Sequence, residues 1–415
     1  MSLKGNLVVG QSGGPTSVIN SSLYGIIDKA SKNSLFTGIF GMVHGIEGFL
    51  REDLIDLSKQ PKEVLDSVRK TPGAALGGCR FKVNTDNSED ETNKLILNLL
   101  KKYNIRYFIY IGGNDSMDTA DKIHKMSRKM GYELKVMGVP KTIDNDLTGT
   151  HHCPGFGSCA KYIATTVMEA GLHTESMYTS ETVTILTTVG RNTGWLPAAS
   201  AIAKRHSYDA PHLIYLPEVP FDRDKFIEDV KKKIKEIGGA FIVTGEGLMD
   251  SDGNYVQVNS SAVATDAFGH PELGGVGEYL KGLVEKQLGV RARVITPAIA
   301  QQAAMHCASE VDLQEAEMVG RAAVAAFLED KSGYMTTYVV DEGNDQYRCT
   351  TGLVELEKVA NMERKVPRGF INSDGNFISK KFLDYVRPLI QGNVQVDLED
   401  GLPVYGRLEK IPVEV

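Results

Sequence analysis

The sequence predicts an α/β protein built on doubly wound, mostly parallel sheets. Three observations carry that expectation. Apolar strand-like runs alternate with helical patterns through the first half of the chain. These runs end in glycine or charged residues, so polar clusters gather past the carboxyl ends of strands, where open α/β sheets bind ligands. At 415 residues the chain exceeds the size at which a single hydrophobic core stops growing, which implies two or more lobes.

The elements follow in order. Residues 6–10 read as a buried strand that enters the loop Gly10-Gln11-Ser12-Gly13-Gly14-Pro15-Thr16, with a helix over 16–30. Residues 36–43 form the next strand. The run at 107–111 ends in Gly112-Gly113-Asn114-Asp115-Ser116 and leads into a helix over 116–130. The apolar run 134–139 precedes Pro140-Lys141-Thr142-Ile143-Asp144-Asn145-Asp146, and a helix over 158–170 comes after it. Strands are expected at 183–189, ending in Gly190-Arg191, at 213–216, and at 240–245, ending in Gly245-Glu246-Gly247. From about residue 332 the pattern changes to antiparallel strands with a short helix near 380–386, which reads as a C-terminal appendage.

The bulk composition excludes several classes. A formal charge of -7 argues against nucleic acid or a membrane surface as partner. Five cysteines, an odd number without a C-x-x-C pair, argue against a disulfide framework or a zinc site. No apolar stretch is long enough to span a bilayer, and the first residues lead straight into a strand rather than a signal peptide. A cytoplasmic protein is the expectation.

Four clusters carry candidate chemistry. The 10–16 loop and the 112–116 loop each join a strand to a helix, where glycines let backbone N–H groups approach an anion and the helix N-terminus favours negative charge. Neither is a Walker A or a G-x-G-x-x-G motif, and a tight βα turn or an N-cap by Asp115 or Ser116 are the alternative readings. In the 140–146 segment two carboxylates follow a lysine, and two acids this close tend to differ in pKa, so that one takes a proton while the other stays ionised. A general base on a sugar hydroxyl, with magnesium spread over phosphate oxygens, fits that demand. Arg191 at a strand end suits two-point binding of a transferring phosphoryl group, with a surface salt bridge as the bland alternative. Glu246 reads as an acceptor for sugar hydroxyls, and Arg80 in Gly77-Gly78-Cys79-Arg80 as a second cation of similar style. His151 and His152 are adjacent, so they point apart, and no third metal ligand has suitable spacing. His306 reads as a core histidine, and Trp195, the only tryptophan, is expected close to the site.

Taken together, the glycine loop, GG-x-x-S, T-I-D-N-D, the strand-end Gly-Arg and the strand-end Gly-Glu-Gly resemble the phosphofructokinase family over about residues 7–326. The resemblance implies two similar α/β lobes with the site in the cleft: residues 1–140 plus roughly 295–330 for the phosphoryl donor, 141–294 for the sugar phosphate, and 331–415 as the appendage. It implies Asp144 as the base on the 1-hydroxyl of fructose 6-phosphate, supported by Asp146, with Thr142 and Ser116 on the transferred group and Arg191 stabilising its charge. Gly13, Gly14, Arg80, Gly113, Asp115, Ser116 and Lys141 would hold the donor. Thr142, Asp144, Gly190, Arg191, Glu246, Arg291 and Arg293 would hold the sugar phosphate, and Asp115 and Asp144 a Mg2+ ion. A homodimer or homotetramer and a role in glycolysis are further implications.

Two positions bear on the donor. ATP-using relatives carry glycine where this chain has Asp115 and Lys141, so the sequence is similar to the pyrophosphate-dependent branch. Three departures stand beside the match: Asn114 occupies a place where many relatives have aspartate, Ser180-Glu181-Thr182 lacks an arginine of bacterial ATP-using members, and Gln301-Gln302 replaces the usual Gln-Arg. An ATP-dependent kinase of the same fold, a silent sugar-phosphate-binding subunit and a different acceptor such as sedoheptulose 7-phosphate are the alternatives.

Overall fold

The computed structural model describes residues 3–81, 83, 91–257, 275–341 and 346–414. Strands β1 (Gly5–Gln11), β2 (Phe36–Met42), β3 (Leu54–Asp56), β4 (Ile105–Gly112) and β5 (Lys135–Pro140) belong to one seven-stranded sheet. Strands β6 (Val183–Thr188), β7 (Leu213–Tyr215), β8 (Ala240–Gly245) and β9 (Ala292–Ile295) form a second, four-stranded sheet. The antiparallel pair expected past residue 331 is present as β10 (Tyr334–Val340) and β11 (Cys349–Glu355), and it extends the first sheet by parallel pairing of Tyr334 and Met335 with Met137 and Gly138. The order of that sheet is β11-β10-β5-β4-β1-β2-β3.

Near-continuous apolar strands are the mark of sheets covered on both faces. Successive side chains of β4 divide accordingly: Phe108 and Tyr110 enter one core, Tyr107, Ile109 and Ile111 the other. The second sheet repeats the arrangement, with Leu186, Ile214, Phe241 and Val243 on one side and Val183, Ile185, Leu213 and Ile242 on the other. β1 pairs in parallel with β2 on one edge and β4 on the other, so the strand order reverses between β1 and β4. Chain leaving those two strands diverges and opens a crevice beyond their carboxyl ends.

Two boundaries differ from the sequence expectation. The first helix begins at Ile19 rather than residue 16, which leaves Pro15 and Thr16 in the loop. The helix expected over 158–170 runs Phe156–Met177. Gly171 lies inside that helix, where a Cβ would lie 2.6 Å from the Ala210 Cβ. Close packing, not chain termination, is what that glycine answers.

The helices Ile19–Ala30 and Glu310–Leu328 approach at glycines from both sides. A Cβ on Gly25 would lie 2.2 Å from the Glu317 carbonyl oxygen, and one on Gly320 would lie 2.2 Å from that of Ser22. Backbone cannot yield as a flexible side chain can. Gly320→Ala is therefore expected to destabilise the fold by about 1–3 kcal/mol through overpacking, read as a lowered midpoint in urea unfolding. An unchanged midpoint would refute the close approach.

Candidate active site

Strand ends deliver most of one cavity. From the first sheet come Ser12, Gly13, Gly14, Pro15 and Thr16 after β1, Gly113 to Ser116 after β4, and Lys141 to Asp144 with Asp146 after β5. From the second sheet come Val189 to Thr193 after β6 and Glu246 after β8. The cavity holds about 600 Å3 of accessible space. Gly13 adopts φ +73°, a conformation open to glycine, and Gly14 turns its carbonyl inward.

The 112–116 loop is not explained by capping. Gly113 is the N-cap, with no side-chain cap bond, and Asp115 lies in the first helical turn. Its charge is favoured there by the helix dipole, but its carboxylate also lines the cavity. Asn114 donates from Nδ2 to Asp146 Oδ2 at 3.1 Å, fixing the amide so that its Oδ1, buried, has no hydrogen-bond partner among the described residues.

Lys141 is 4% exposed and its Nζ donates to the Gly14 carbonyl at 2.6 Å. That bond ties the end of β5 to the first glycine loop. Burial pushes the Lys141 ammonium down to about 8, against the opposing pull of Asp144 and Asp146. The Thr142 hydroxyl accepts from the Asp144 amide at 3.1 Å, closing a local turn, and Asn145 beyond it holds φ +55°.

Both carboxyls of the motif are raised above the usual carboxylate range. For Asp144 burial is the main cause and Glu246 adds to it, with Lys141 and Arg191 in opposition. For Asp146 burial again leads, followed by Asp144 and then Glu363. Two acids so close titrate as a pair. Asp144 Oδ1 is buried and has no hydrogen-bond partner among the described residues. Glu246 is raised by burial and countered by Arg191 and by the Gly190 backbone.

Gly190, at φ +122°, makes the bend that turns Arg191 into the cavity. Gly247 is required by the same bend, since a Cβ there would lie 1.6 Å from the Arg191 carbonyl oxygen. Thus the glycines flanking Glu246 serve packing against the Gly190-Arg191 turn.

The cavity therefore gathers Gly13, Gly14, Arg80, Gly113, Asp115, Ser116, Lys141, Thr142, Asp144, Asp146, Gly190, Arg191 and Glu246. Arg291 and Arg293 do not join them. β9 runs parallel to β6 with Ala292 opposite Val183, so both arginines sit at the amino ends of the strands, away from the cavity, and Arg293 is ion-paired with Glu181. Strand direction, invisible in the composition of the segment, decides this.

Gln302, one of the two glutamines at the departure from the family pattern, lines the cavity from the short helix Ala300–Ala303 after β9. Asn361 and Glu363, which carried no local signal, arrive from far along the chain, beyond β11. Trp195 is buried behind the site rather than in its wall. His306 is exposed, edge-on to Tyr162, and not a core residue, because its short 3-10 turn runs over the surface. His152, by contrast, is buried and bonds Glu315 at 2.7 Å, and with Cys349 these offer three ligand atoms within 4.8 Å of one another. The third ligand that spacing did not reveal comes from distant chain. Among the described residues no such trio of Asp, Glu, His or Cys occurs in the cavity itself.

Comparison with known proteins gives a consistent result. The profile of the family described as Phosphofructokinase matches residues 6–327. A Xanthomonas campestris protein named pyrophosphate–fructose 6-phosphate 1-phosphotransferase is 39% identical over 412 residues, 99% of this chain and 97% of that protein. A sulfofructose kinase of Alkalicoccus urumqiensis is 32% identical over 366 residues, 88% of this chain and 91% of that one. Among solved structures, the pyrophosphate-dependent phosphofructokinase of Marinobacter aquaeolei superposes with a TM-score of 0.87 at 37% identity, covering 99% of this chain and 98% of its own.

Proposed function

The chain belongs to the phosphofructokinase family, and from that premise we propose that it transfers a phosphoryl group reversibly from pyrophosphate to the 1-hydroxyl of fructose 6-phosphate. The products are fructose 1,6-bisphosphate and phosphate. The observation that carries this reading is the pairing of Lys141 and Asp115 in one cavity with Asp144. A buried ammonium offers pyrophosphate a fixed positive charge, while the Asp115 carboxylate opposes the extra phosphate of a nucleotide. Such like-charge contacts cost several kcal/mol.

In this mechanism Asp144 takes the proton of the 1-hydroxyl, and burial together with Glu246 raises its carboxyl towards the range a general base needs. Asp146, held by Asn114, keeps a second carboxyl beside it. Arg191 faces the charge that develops on the transferring group, and Thr142 and Ser116 contact that group. Glu246 accepts from sugar hydroxyls. Gly13, Gly14, Gly113 and Arg80 line the donor side.

A magnesium ion fits the residues present. Mg2+ keeps several waters and takes one or two carboxylates plus substrate phosphates, so it needs no three-ligand protein cage. Asp115 and Asp144 would hold it, and the unpartnered Asp144 Oδ1 is suited to that role. When bound it supplies charge neutralisation across the phosphate oxygens. Assembly as a homodimer or homotetramer would complete the sugar-phosphate pocket, since among the described residues Arg291 and Arg293 do not line the cavity of their own chain. Among the described residues no helix is long and apolar enough to cross a membrane. A cytoplasmic, glycolytic role belongs to the same proposal.

Parallel rate measurements with magnesium pyrophosphate and magnesium ATP, using fructose 6-phosphate as acceptor, test the donor. Pyrophosphate turnover should dominate, and Asp115→Gly should raise ATP turnover well above the parent. Equal use of ATP by the parent, unchanged by the substitution, would assign the ATP-dependent reaction instead.

Asp144→Ser should lower kcat on the order of 10²–10⁴-fold, as for loss of a general base. Near-normal turnover by that variant would end the mechanism, and any turnover by the parent ends the silent-subunit reading.

The raised Asp144 carboxyl holds its proton to higher pH, so the acid limb of kcat/KM should lie above the ordinary carboxylate range. Lys141, pushed down to about 8, loses its charge as pH rises through that value, so the KM for pyrophosphate should climb above about pH 8. Lys141→Met should raise the pyrophosphate KM far more than the sugar KM and abolish that climb. Equal rises in both KM values would remove Lys141 from the donor side.

A further inference from the structure

Residues 361–366 cross the rim of the cavity between the two sheets. At one end the Asn361 side chain donates to Asp118, on the helix that begins at Asn114, at 3.0 Å. At the other, Val366 donates its amide to Glu218, whose carboxylate also accepts from Gly194 in the turn after β6. Between them Glu363 accepts from Asn192 at 2.6 Å. These residues lie outside the span matched by the family profile.

Arg364 is the centre of this strap. Its backbone N–H donates to the Asp146 carbonyl at 2.7 Å. Its guanidinium grips the loop from two sides: Nε and Nη2 donate to the Asn145 carbonyl at 3.2 and 2.8 Å, and Nη1 donates to the carbonyls of Thr150 and His151 at 2.8 and 2.6 Å. The guanidinium carbon lies over the Trp195 ring, 4.6 Å from its centroid, and Trp195 Nε1 donates back to the Arg364 carbonyl at 2.8 Å. Both peptide carbonyls around Asp146, those of residues 145 and 146, are therefore held by one residue.

Asn145 is the reason such a hold matters. It stands between the two carboxylates in the left-handed region, at φ +55°, a conformation that asparagine tolerates better than most residues but still leaves for the right-handed region when unheld. Its side chain is fixed as well, accepting from the Cys153 amide at 3.0 Å and donating to the Tyr385 hydroxyl at 2.8 Å, which donates in turn to the His151 carbonyl at 2.8 Å. Relaxation of Asn145 to the right-handed region would swing Asp146 relative to Asp144. Misplacement by about 1 Å can cost on the order of 10²-fold in rate.

We infer that Arg364 is a positioning residue for the catalytic loop, holding the left-handed turn at Asn145 through its planar grip on the carbonyls of Asn145, Thr150 and His151. A lysine cannot reproduce this, since a single ammonium lacks the planar fork that reaches the carbonyls on both sides. The inference rests on the proposed roles of Asp144 and Asp146.

The test compares the full-length parent with Arg364→Ala, Arg364→Lys and Tyr385→Phe. The first two should lose roughly 10- to 100-fold in kcat, with both KM values within about threefold, and Tyr385→Phe should lose less in the same pattern. Added guanidinium chloride at millimolar levels should restore part of the Arg364→Ala rate, whereas ammonium chloride should not. A kcat within twofold of the parent in all three variants would overturn the inference, and so would KM rising while kcat holds. Amide hydrogen exchange over residues 142–155 gives a readout independent of turnover. Faster exchange there in the variants supports the inference even should the parent prove inactive towards pyrophosphate and fructose 6-phosphate, and unchanged exchange overturns it. Should Arg364→Ala fail to fold, Tyr385→Phe decides by the same two readouts.

Discussion

The bond from the Lys141 ammonium to the Gly14 carbonyl is the constraint on which the site depends. A buried charge is tolerated only when paired and hydrogen-bonded. Lys141 meets that condition by reaching from the end of β5 to the loop after β1, past the intervening β4, and by lying near Asp144 and Asp146. The same bond fixes the distance between the first glycine loop and the carboxylate loop, which is the width of the proposed donor site. The charge of the ammonium and the ionisation of the acids are thereby coupled: each favours the charged form of the other, while burial opposes both.

Carboxylates crowd the cavity, and the chain manages their repulsion by separation and by cation placement. Arg191 lies with Glu246, Lys141 with Asp144, and Arg364 with Asp146, and each cation opposes the upward push that burial exerts on its acid. The acids nevertheless remain raised. For the proposed role of Asp144 as a base that residual imbalance is an advantage, since full neutralisation would return it to the weakly basic range of an exposed carboxylate. The site is thus tuned by incomplete compensation.

Much of this was legible in the chain because the relevant signals are local. Buried strands, the glycine loops and the T-I-D-N-D run each declare themselves within a few residues, and parallel strands of a doubly wound sheet place their ends together without further information. What was not legible depends on strand direction or on long-range contact. Arg291 and Arg293 lie at the amino end of β9, outside the cavity of their own chain, a placement fixed by the pairing of Ala292 with Val183. The extent of the helix past residue 170 depends on the close approach of Gly171 to Ala210, which no local signal shows. Asn361, Glu363 and Arg364 are unremarkable in a polar stretch, and acquire meaning only because the chain crosses back over the rim after β11. The partners of His152 are likewise 163 residues away in the case of Glu315.

On the proposed reading, donor choice follows from how Asp115 is stabilised. An acidic residue that caps a helix or pairs with a cation has its field largely consumed by that partner. Among the described residues Asp115 does neither: Gly113 is the cap and Asp115 lies in the first turn of the helix, where the diffuse dipole favours its charge. Its field therefore extends into the cavity at the helix N-terminus, where phosphate would otherwise be most welcome. Pyrophosphate is short enough to keep its charge near Lys141 and Arg80, whereas a nucleotide must run a further phosphate and a sugar past an ionised carboxylate. On that reading the discrimination lies in a negative charge at a place built to receive one.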